Sequence, residues 1–442
     1  MNSYGVIIDV DMIRNMMQTN VSESMDLITL KQILYFIFLG LLPAVLIYRV
    51  KIDYRNLKIE IVSKTVVLVI TLLLIFSNIF IFSKHYTSFV REHKALRFST
   101  NPTYWIYGIG SYIEKTFNNG PIVVKPIGLD AKVMEKNSLK KLIIMVVGEA
   151  ARADHFSLNG YEKETNPLLK KENIINFSNM YSCGTSTAES VPCMFSIYDR
   201  GDYSYKKGIT TENVLDVLSH SGDIQVLWRD NNSDSKGVAL RVKYEDYKNS
   251  NKNSICMDGE CRDVGLLIGL DEYIKENNTT DILIVLHQMG NHGPAYYKRY
   301  PKEYEIFKPT CKTNQLEACT QDEISNAYDN AILYSDYFLS QTINFLKSYD
   351  ESYETAMIYM SDHGESLGEN GIYLHGLPYF MAPDAQTHIG SFMWFGKQTN
   401  IDVEKIRSLK DEQFSQDNLF HTLLGIFDVK TEVYEKEKDM VK

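Results

Sequence analysis

The sequence has no cysteine before residue 183 and no Cys-x-x-Cys pair anywhere along its 442 residues. The missing Cys-x-x-Cys spacing argues against a structural zinc site of the ribbon type. No long basic run offsets the formal net charge of −10, which argues against a protein that binds nucleic acid. Internal repeats and low-complexity segments are also missing, which argues against a repeat architecture.

The six cysteines that are present fall into three close pairs. The pairs are Cys183/Cys193, Cys256/Cys261 and Cys311/Cys319. Short local disulfides fit this grouping better than buried free thiols do, and disulfides require an oxidising compartment. We therefore expect three disulfides in a domain that lies outside the cytoplasm.

Two long uncharged apolar runs lie in the first 83 residues, at about 32–48 and 65–82. Each is near the lower length limit for crossing a bilayer. The connection between them carries four basic residues, which the positive-inside rule places in the cytoplasm. They are Arg49, Lys51, Arg55 and Lys58. Everything after Lys84 is then expected outside the cytoplasm, in agreement with the cysteines.

The sequence pattern divides the chain into three parts. Residues 1–83 are predicted to be a membrane region, with an N-terminal helix outside the cytoplasm followed by two transmembrane helices. Residues 84–138 are predicted to be membrane-surface helices and a linker. Over residues 139–442 apolar strands alternate with helical stretches, which predicts an α/β domain with a mainly parallel sheet and helices on both faces.

Three polar side chains stand at the C-terminal ends of two predicted strands. Glu149 ends the run "KKLIIMVVGE", and Asp362 and His363 lie at the end of "TAMIYMSDHG". Ligands of such sheets bind at the carboxyl ends of the strands, so we expect these side chains to converge. Two acids and a histidine are typical of a zinc-type site that still needs one more ligand.

The stretch "SCGTSTAESVPCM" (182–194) can supply that ligand. A hydroxyl group on zinc has a lowered pKa and becomes a nucleophile near neutral pH. The Cys183–Cys193 pair would hold such a hydroxyl in place. The residues alone leave four candidates open. They are Thr185, Ser186, Thr187 and Ser190.

Five long motifs of the sequence are distinctive: "VVGEAARADHFSLNGYEKETNP" (146–167), "SCGTSTAESVPCMFS" (182–196), "LWRDNNSDSKGV" (227–238), "NHGPAYYKRYP" (291–301) and "SDHGESLGENGIYLHG" (361–376). They resemble motifs of the phosphoethanolamine transferases that modify lipid A, the family of the mobile colistin-resistance enzymes. The resemblance implies an alkaline phosphatase/sulfatase-like fold with Thr187 as the nucleophile. It also implies one tight zinc site, and leaves a second one open. The implied zinc ligands are Glu149, Thr187, Asp362 and His363.

The same resemblance implies substrate roles for four further residues. His292 and His375 match the two histidines near the phosphoryl group. Protonated, they can steady negative charge or the leaving oxygen; neutral, they can hold a second zinc. Lys236, with Asn232, matches the substrate pocket, where lysine suits a phosphate as a point charge.

A helix near the N-terminus adds three candidates. Asn15, Thr19 and Glu23 stand at i, i+4 and i+8, on one face of a predicted helix. In the family a similar face meets the ethanolamine head group, and a glutamate opposite an ammonium group is chemically sensible. Family members usually carry five membrane helices, and by this resemblance the chain begins after the third.

The resemblance implies zinc-dependent transfer of phosphoethanolamine from phosphatidylethanolamine to a phosphate of lipid A or another lipopolysaccharide, through a covalent threonine intermediate. Such transfer gives resistance to cationic peptides such as polymyxin. The expected location is the inner membrane of a Gram-negative bacterium, with the catalytic domain in the periplasm. A monomer surrounded by membrane lipids is expected.

Two alternatives stay open at this point. One is a phosphoglycerol transferase or phosphodiesterase of the same fold that acts on another acceptor. A sulfatase would need a Cys/Ser-x-Pro-x-Arg signature, which "TSTAESVP" lacks. The other alternative is a truncated, inactive remnant that binds lipid, against which the retained zinc-ligand set argues.

Overall fold

The computed structural model describes most of the chain. The described residues are 6–19, 24–25, 27–51, 56–117, 122–134, 139–257 and 259–441. The helices are α1 (Val10–Gln18), α2 (Leu30–Arg49), α3 (Leu57–Ile81), α4 (Ser83–Glu92), α5 (Thr103–Phe117), α6 (Thr187–Met194), α7 (Tyr205–Thr210), α8 (Val214–His220), α9 (Leu270–Glu276), α10 (Gln321–Lys347), α11 (Asp384–Thr387), α12 (Val403–Ser408) and α13 (Leu419–Ile426). The strands of the main sheet are β1 (Lys140–Gly148), β2 (Ile174–Asn176), β3 (Ile224–Asp230), β4 (Lys243–Asp246), β5 (Asp281–His287), β6 (Tyr353–Ser361) and β7 (Ser391–Phe395).

The helices α2 and α3 are long and apolar enough to cross a membrane. The structure describes every side chain of these two helices, and none of them is buried. This exposure is expected for surfaces that face lipid. α2 widens into a π-helical stretch at Phe36–Leu41, just before Pro43, whose ring nitrogen donates no hydrogen bond. α3 begins at Leu57 because Asn56 caps it, with its side chain accepting from Lys58 N, and the i,i+4 pair of Glu60 and Lys64 at 3.1 Å supports the turns ahead of the apolar run. Of the basic residues between α2 and α3, Arg55 lies outside the described residues.

The main sheet has the strand order β2-β7-β6-β1-β5-β3-β4. Strands β6, β1, β5, β3 and β4 pair in parallel, and β7 runs antiparallel to both of its neighbours. The prediction of a mainly parallel sheet is therefore confirmed. β1 and β6 pair from Lys140 opposite Tyr353 to Gly148 opposite Ser361. This register brings Glu149 and Asp362 side by side just beyond the strand ends.

The two faces of the sheet bury two separate cores. In β1, Ile143 and Met145 join one apolar cluster, and Leu142 and Ile144 join the other, as the two-residue period of a strand requires. Helices α8 and α13 contribute to the first cluster, and α10 contributes to the second. Helices therefore cover both faces, which also confirms the predicted architecture.

Parts of the N-terminal half pack against the α/β domain. A short strand, Lys132–Val133, pairs antiparallel with Val429–Lys430 near the end of the chain. Helix α1 packs between α5 and α6. Its approach to α5 is close at Gly108, where a Cβ atom would lie 3.3 Å from the backbone carbon of Asp9. The helix that carries Asn15 and precedes Thr19 is thus seated directly on the helix that begins with Thr187.

Candidate metal and phosphoryl-transfer site

Glu149, Asp362 and His363 meet at the carboxyl edge of the sheet, and all three are fully buried. His363 Nε2 lies 3.6 Å from Glu149 Oε1 and 3.4 Å from Asp362 Oδ2. One potential ligand atom from each residue lies within 4.8 Å of the other two. The side chains that the strand-end pattern singled out therefore converge on one small space.

Thr187 completes this group from the first position of α6. Its Oγ1 donates a hydrogen bond to Glu149 Oε2 at 3.2 Å and lies 3.4 Å from His363 Nε2. Ser186 is the N-cap residue in an extended conformation, so the helix starts at Thr187. We call Glu149, Thr187, Asp362 and His363 the Glu149 cluster.

Two of the other three candidate hydroxyl groups, those of Thr185 and Ser190, have other partners. Thr185 Oγ1 donates to the carbonyl oxygen of Leu377 at 2.6 Å. Ser190 Oγ donates to the carbonyl oxygen of Asp362 and contacts Gln416 Oε1 at 2.7 Å. Among the four candidates the geometry therefore directs Thr187 toward the acids and the histidine.

The donor set of the Glu149 cluster fits a divalent cation. His363 Nδ1 donates to the carbonyl oxygen of Gly364 at 2.7 Å, which leaves the Nε2 lone pair facing the carboxylates. Burial lowers the pKa of His363, which favours the neutral imidazole that a metal needs. Asp362 Oδ1 accepts hydrogen bonds from Ala150 N and His363 N, whereas no donor in the described part of the chain bonds to the buried Oδ2. Two buried carboxylates, one imidazole nitrogen and one hydroxyl are a zinc-type set.

The nucleophile loop is fixed by a disulfide and by one buried glutamine. All three predicted disulfides form: Cys183–Cys193, Cys256–Cys261 and Cys311–Cys319. Gln416 Oε1 accepts from the Cys183 amide at 2.6 Å, while Gln416 Nε2 donates to the carbonyl oxygens of Ser361 and Asp362. Gln416 thus joins the loop that carries Thr187 to the strand end that carries Asp362, a role that no sequence motif indicated.

A cavity of about 230 Å³ opens beside Thr187, and we call it the Thr187 cavity. Five other predicted substrate residues line it. They are Asn15, Thr19, Lys236, His292 and His375. Glu23 lies outside the described residues. Asn232 lies behind the wall, since its side-chain amide donates to Glu149 Oε2 at 2.9 Å and to the carbonyl oxygen of Gln288 at 3.0 Å.

Comparison with known proteins identifies the family of this chain. The family model "Phosphoethanolamine transferase EptA/EptB" matches residues 1–117, and the model "Sulfatase" matches residues 141–429. The phosphatidylethanolamine transferase Mcr-1 of Escherichia coli is 43% identical over 449 residues, which cover 99% of this chain and 82% of that protein. This chain belongs to the phosphoethanolamine transferase family.

Solved structures of other family members share the fold. The integral membrane lipooligosaccharide phosphoethanolamine transferase A of Neisseria meningitidis matches with a TM-score of 0.92 at 37% identity, covering 99% of this chain and 83% of that one. The periplasmic domain of phosphoethanolamine transferase EptC from Campylobacter jejuni matches with a TM-score of 0.64 at 45% identity, covering 72% of this chain and 98% of that one. The sulfatase-like fold behind apolar N-terminal helices is therefore confirmed.

In this transferase the two cavity histidines differ in their surroundings. Burial, and then the nearby Arg299 guanidinium, hold the pKa of His292 well below its usual range, so its imidazole is neutral in the resting site. His375 Nδ1 instead lies 2.6 Å from Glu365 Oε2. The His375 ring centroid is 4.2 Å from that of His363 and 6.1 Å from that of His292.

Glu365 is a site residue that the sequence reasoning missed. It is fully buried, and its Oε1 accepts a hydrogen bond from the Tyr296 hydroxyl at 2.7 Å. His363, Glu365 and His375 form a second group whose potential ligand atoms lie within 4.8 Å of one another. The sequence signal that could have identified Glu365 is its position two residues after His363, in the motif "SDHGES".

Asp263 is a second missed residue, and it supports the turn between β5 and His292. Its Oδ1 accepts from Met289 N at 2.7 Å, and its Oδ2 accepts from Gly290 N at 3.0 Å. Gly290 has φ of +50°, and a Cβ there would lie 3.0 Å from the Glu149 carbonyl oxygen. The Asp263 carboxylate therefore holds the turn that both backs Glu149 and presents His292.

Lys236 connects the α/β domain to the N-terminal helix. Its side chain is buried, and its Nζ donates to the carbonyl oxygen of Gln18 at 3.2 Å, at the end of α1. The ammonium group also lies 3.6 Å from Asp234 Oδ1. One wall of the Thr187 cavity thus depends on how α1 is seated against the domain.

Proposed function

We propose that this protein transfers phosphoethanolamine from phosphatidylethanolamine to a phosphate of lipid A, through a covalent adduct on Thr187. The observation that carries the proposal is the position of Thr187 Oγ1, 3.2 Å from Glu149 Oε2, on a cavity that also contains two histidines and a lysine. Family membership supports phosphoethanolamine as the transferred group, since the Mcr-1 relative is named a phosphatidylethanolamine transferase.

The Glu149 cluster is proposed to hold one zinc ion through all four of its residues. Bound there, zinc supplies a Lewis acid that lowers the pKa of the threonine hydroxyl and offsets charge on a phosphoryl oxygen. Glu149 orients the Thr187 hydroxyl, and Asn232 in turn orients Glu149. The second group, formed by His363, Glu365 and His375, is proposed as a candidate site for a second ion.

In the first half-reaction Thr187 Oγ1 attacks phosphorus and the bond from phosphorus to the diacylglycerol oxygen breaks. Diacylglycerol leaves as the alcohol, with the proton that the threonine loses. The N–H groups of the first two residues of α6 and the Lys236 ammonium group stabilise the negative phosphoryl oxygens. In the second half-reaction an oxygen of the acceptor phosphate attacks phosphorus and the bond from phosphorus to Thr187 Oγ1 breaks, and a proton from the acceptor phosphate or from water restores the Thr187 hydroxyl.

The donor head group is proposed to lie in the Thr187 cavity. Asn15 and Thr19 line it from α1 and its C-terminal cap, as the family resemblance requires for the ethanolamine end. His292 and His375 lie near the phosphoryl end, where neutral His292 accepts or donates one hydrogen bond without adding charge. Glu23 is proposed as the partner of the ammonium group, although it lies outside the described residues.

The proposed setting is the inner membrane of a Gram-negative bacterium. Helices α2 and α3 would anchor a monomer among membrane lipids, with the α/β domain in the periplasm. Three disulfides in that domain support an oxidising compartment. Resistance to polymyxin follows, because a phosphoethanolamine group adds a positive charge to lipid A and weakens the binding of cationic peptides.

The test is a mass measurement after incubation of the full chain with phosphatidylethanolamine. The protein should gain the mass of one phosphoethanolamine, located on Thr187 within the peptide from Cys183 to Cys193. Thr187→Ala should gain none, whereas Ser186→Ala should react normally. Label on Thr185, Ser186 or Ser190 would contradict the choice of nucleophile. Lipid A from cells with and without an active copy, compared by mass, tests the acceptor.

A further inference from the structure

The loop that begins at His375 has an exposed apolar tip. We call residues 375–382 the His375 loop. Leu377 within it is buried, but Phe380 is 70% exposed and Met381 is 37% exposed. Two large apolar side chains at the end of a short loop are costly in water unless something covers them.

The His375 loop is fastened to the nucleophile loop. Gly376 N donates to the carbonyl oxygen of Thr185 at 2.8 Å, and Thr185 Oγ1 donates to the carbonyl oxygen of Leu377 at 2.6 Å. The Tyr379 hydroxyl donates to the carbonyl oxygen of Ser182 at 3.0 Å. Because these bonds fix the base of the loop, the apolar tip is held in a defined position relative to Thr187.

The other side of the loop packs against the segment that follows the membrane helices. Leu377 shares a small buried cluster with Ile7 and Phe98. The Phe380 ring centroid lies 5.9 Å from that of Phe98, which stands in the short helix Lys94–Ser99 between α4 and α5. Arg97 lies 4.7 Å from the Phe98 ring centroid. A basic group beside aromatic rings is typical of surfaces that lie at a lipid interface.

The outer end of a membrane helix is close to this loop. Gln32, in the first turn of α2, lines the same Thr187 cavity as His375. Lys31 Nζ, one residue earlier, pairs with Glu317 Oε1 of the α/β domain at 3.2 Å. The five residue-to-residue steps from His375 to Phe380 span at most about 18 Å when fully extended. The tip therefore lies within that distance of a cavity that opens at the end of a membrane-spanning helix.

We propose that Phe380 and Met381 insert into the lipid surface and dock the α/β domain on the bilayer beside the Thr187 cavity. The occupant of this patch is a phospholipid bilayer, because the patch is continuous with the segment that leaves the membrane. Docking there lets the donor present its head group to Thr187 while its acyl chains stay in the bilayer. This inference rests on the proposed function only in taking the donor to be a membrane lipid.

The first test compares two forms of the same donor. The full chain, in vesicles of phosphatidylcholine and phosphatidylethanolamine, should form the Thr187 adduct at least about tenfold faster than the double variant Phe380→Ser/Met381→Ser. With a short-chain phosphatidylethanolamine dissolved as monomers, the two proteins should react at equal rates. Equal rates with both donors, or equal losses with both, would overturn the proposal.

The matched control is Leu129→Ser, which also removes an exposed apolar side chain. Leu129 is exposed and precedes Asp130, which bonds to Thr431 and Glu432. Asp428, three residues before Thr431, pairs with Lys141 at the start of β1, which is the end of that strand opposite to Glu149. This variant should react like the unchanged protein with both donors.

The second test needs no turnover, so it separates this inference from the proposed function. In vesicles that contain brominated phosphatidylcholine, the fluorescence of the tryptophan added in Phe380→Trp should be quenched, whereas that of the tryptophan added in Leu129→Trp should be unchanged. Unquenched fluorescence from the tryptophan added in Phe380→Trp would show that the tip lies away from lipid, as a protein-binding patch would. Quenching in a protein that transfers nothing would leave the docking proposal intact and contradict the proposed function.

Discussion

The Glu149 cluster and the Thr187 cavity share one threonine but are built in different ways. The cluster comes wholly from the α/β domain, and its two acids and histidine have no solvent exposure. The cavity is also lined by residues of the N-terminal part, among them Asn15 of α1, Thr19 just after it and Gln32 of α2. We infer that the sheet fixes the chemistry, whereas donor binding depends on how the N-terminal helices are seated.

The largest effect is expected inside the cluster. His363→Ala should remove zinc and activity together, with a loss of at least about a thousandfold in adduct formation, because a proposed metal ligand and the contact to Thr187 disappear. Zinc is measured by elemental analysis of the purified protein. His220→Ala, which removes a histidine paired with Glu212 at the surface, is the matched control and should keep both. Normal zinc content in His363→Ala would contradict the ligand assignment.

A smaller effect is expected one layer behind the cluster. Asp263→Ala removes the acceptor of two backbone N–H groups, and should lower kcat about ten- to a hundredfold while the zinc content stays normal. Asp263→Asn keeps one acceptor oxygen and should recover part of that loss. If Asp263 served only global stability, the two variants would melt earlier but retain the normal kcat below their melting temperatures.

A substitution in the Thr187 cavity should change donor binding and leave zinc binding unchanged. Lys236→Met removes a buried ammonium group near the proposed phosphate position and the bond to the Gln18 carbonyl oxygen. We expect KM for phosphatidylethanolamine to rise about tenfold with unchanged zinc content. Lys252→Met, at an exposed position, is the control. A fall in zinc content in Lys236→Met would contradict the assignment of zinc binding to the Glu149 cluster and of donor binding to the Thr187 cavity.

The sequence pattern predicted the cluster better than its supports, for a physical reason. Glu149 and Asp362 follow long apolar runs, and parallel strands bring such ends together whatever the loops do. Gln416 bonds to the Cys183 amide across 233 positions, and Asp263 supports the turn that follows β5. Because both contacts join residues that are far apart in the chain, neither produces a local sequence pattern. Choosing Thr187 from the residues alone was impossible, because its selection depends on where α6 begins.

The cavity residues show the same limit. Asn15 and Thr19 were predicted from helical spacing and family resemblance, and both line the cavity. Asn232 was expected at the substrate, but its amide is used to orient Glu149. Its spacing from Lys236 gave no information on which way a buried amide turns, since that direction is set by the Gln288 carbonyl oxygen just beyond the neighbouring strand.

The smallest expected effect lies where α6, which carries Thr187, meets α1, which carries Asn15, at Glu189 in the first turn of α6. Burial, and then the Asp11 carboxylate of α1, raise the pKa of Glu189 from 4.5 to about 7. The folded state therefore holds this proton more tightly than the unfolded chain does. The resulting stability is fully present below pH 4.5 and is lost as the pH rises to about 7.

Glu189→Gln keeps a neutral side chain at every pH, so it should raise Tm by about 2–4 °C at pH 8 and leave Tm unchanged at pH 4. Thermal unfolding followed by circular dichroism measures both values. Glu412→Gln, at an exposed position, should change neither. An equal gain in Tm for Glu189→Gln at both pH values would show that the charge of Glu189 does not weaken the packing of α1 against α6. The contact between these two helices would then depend on packing alone.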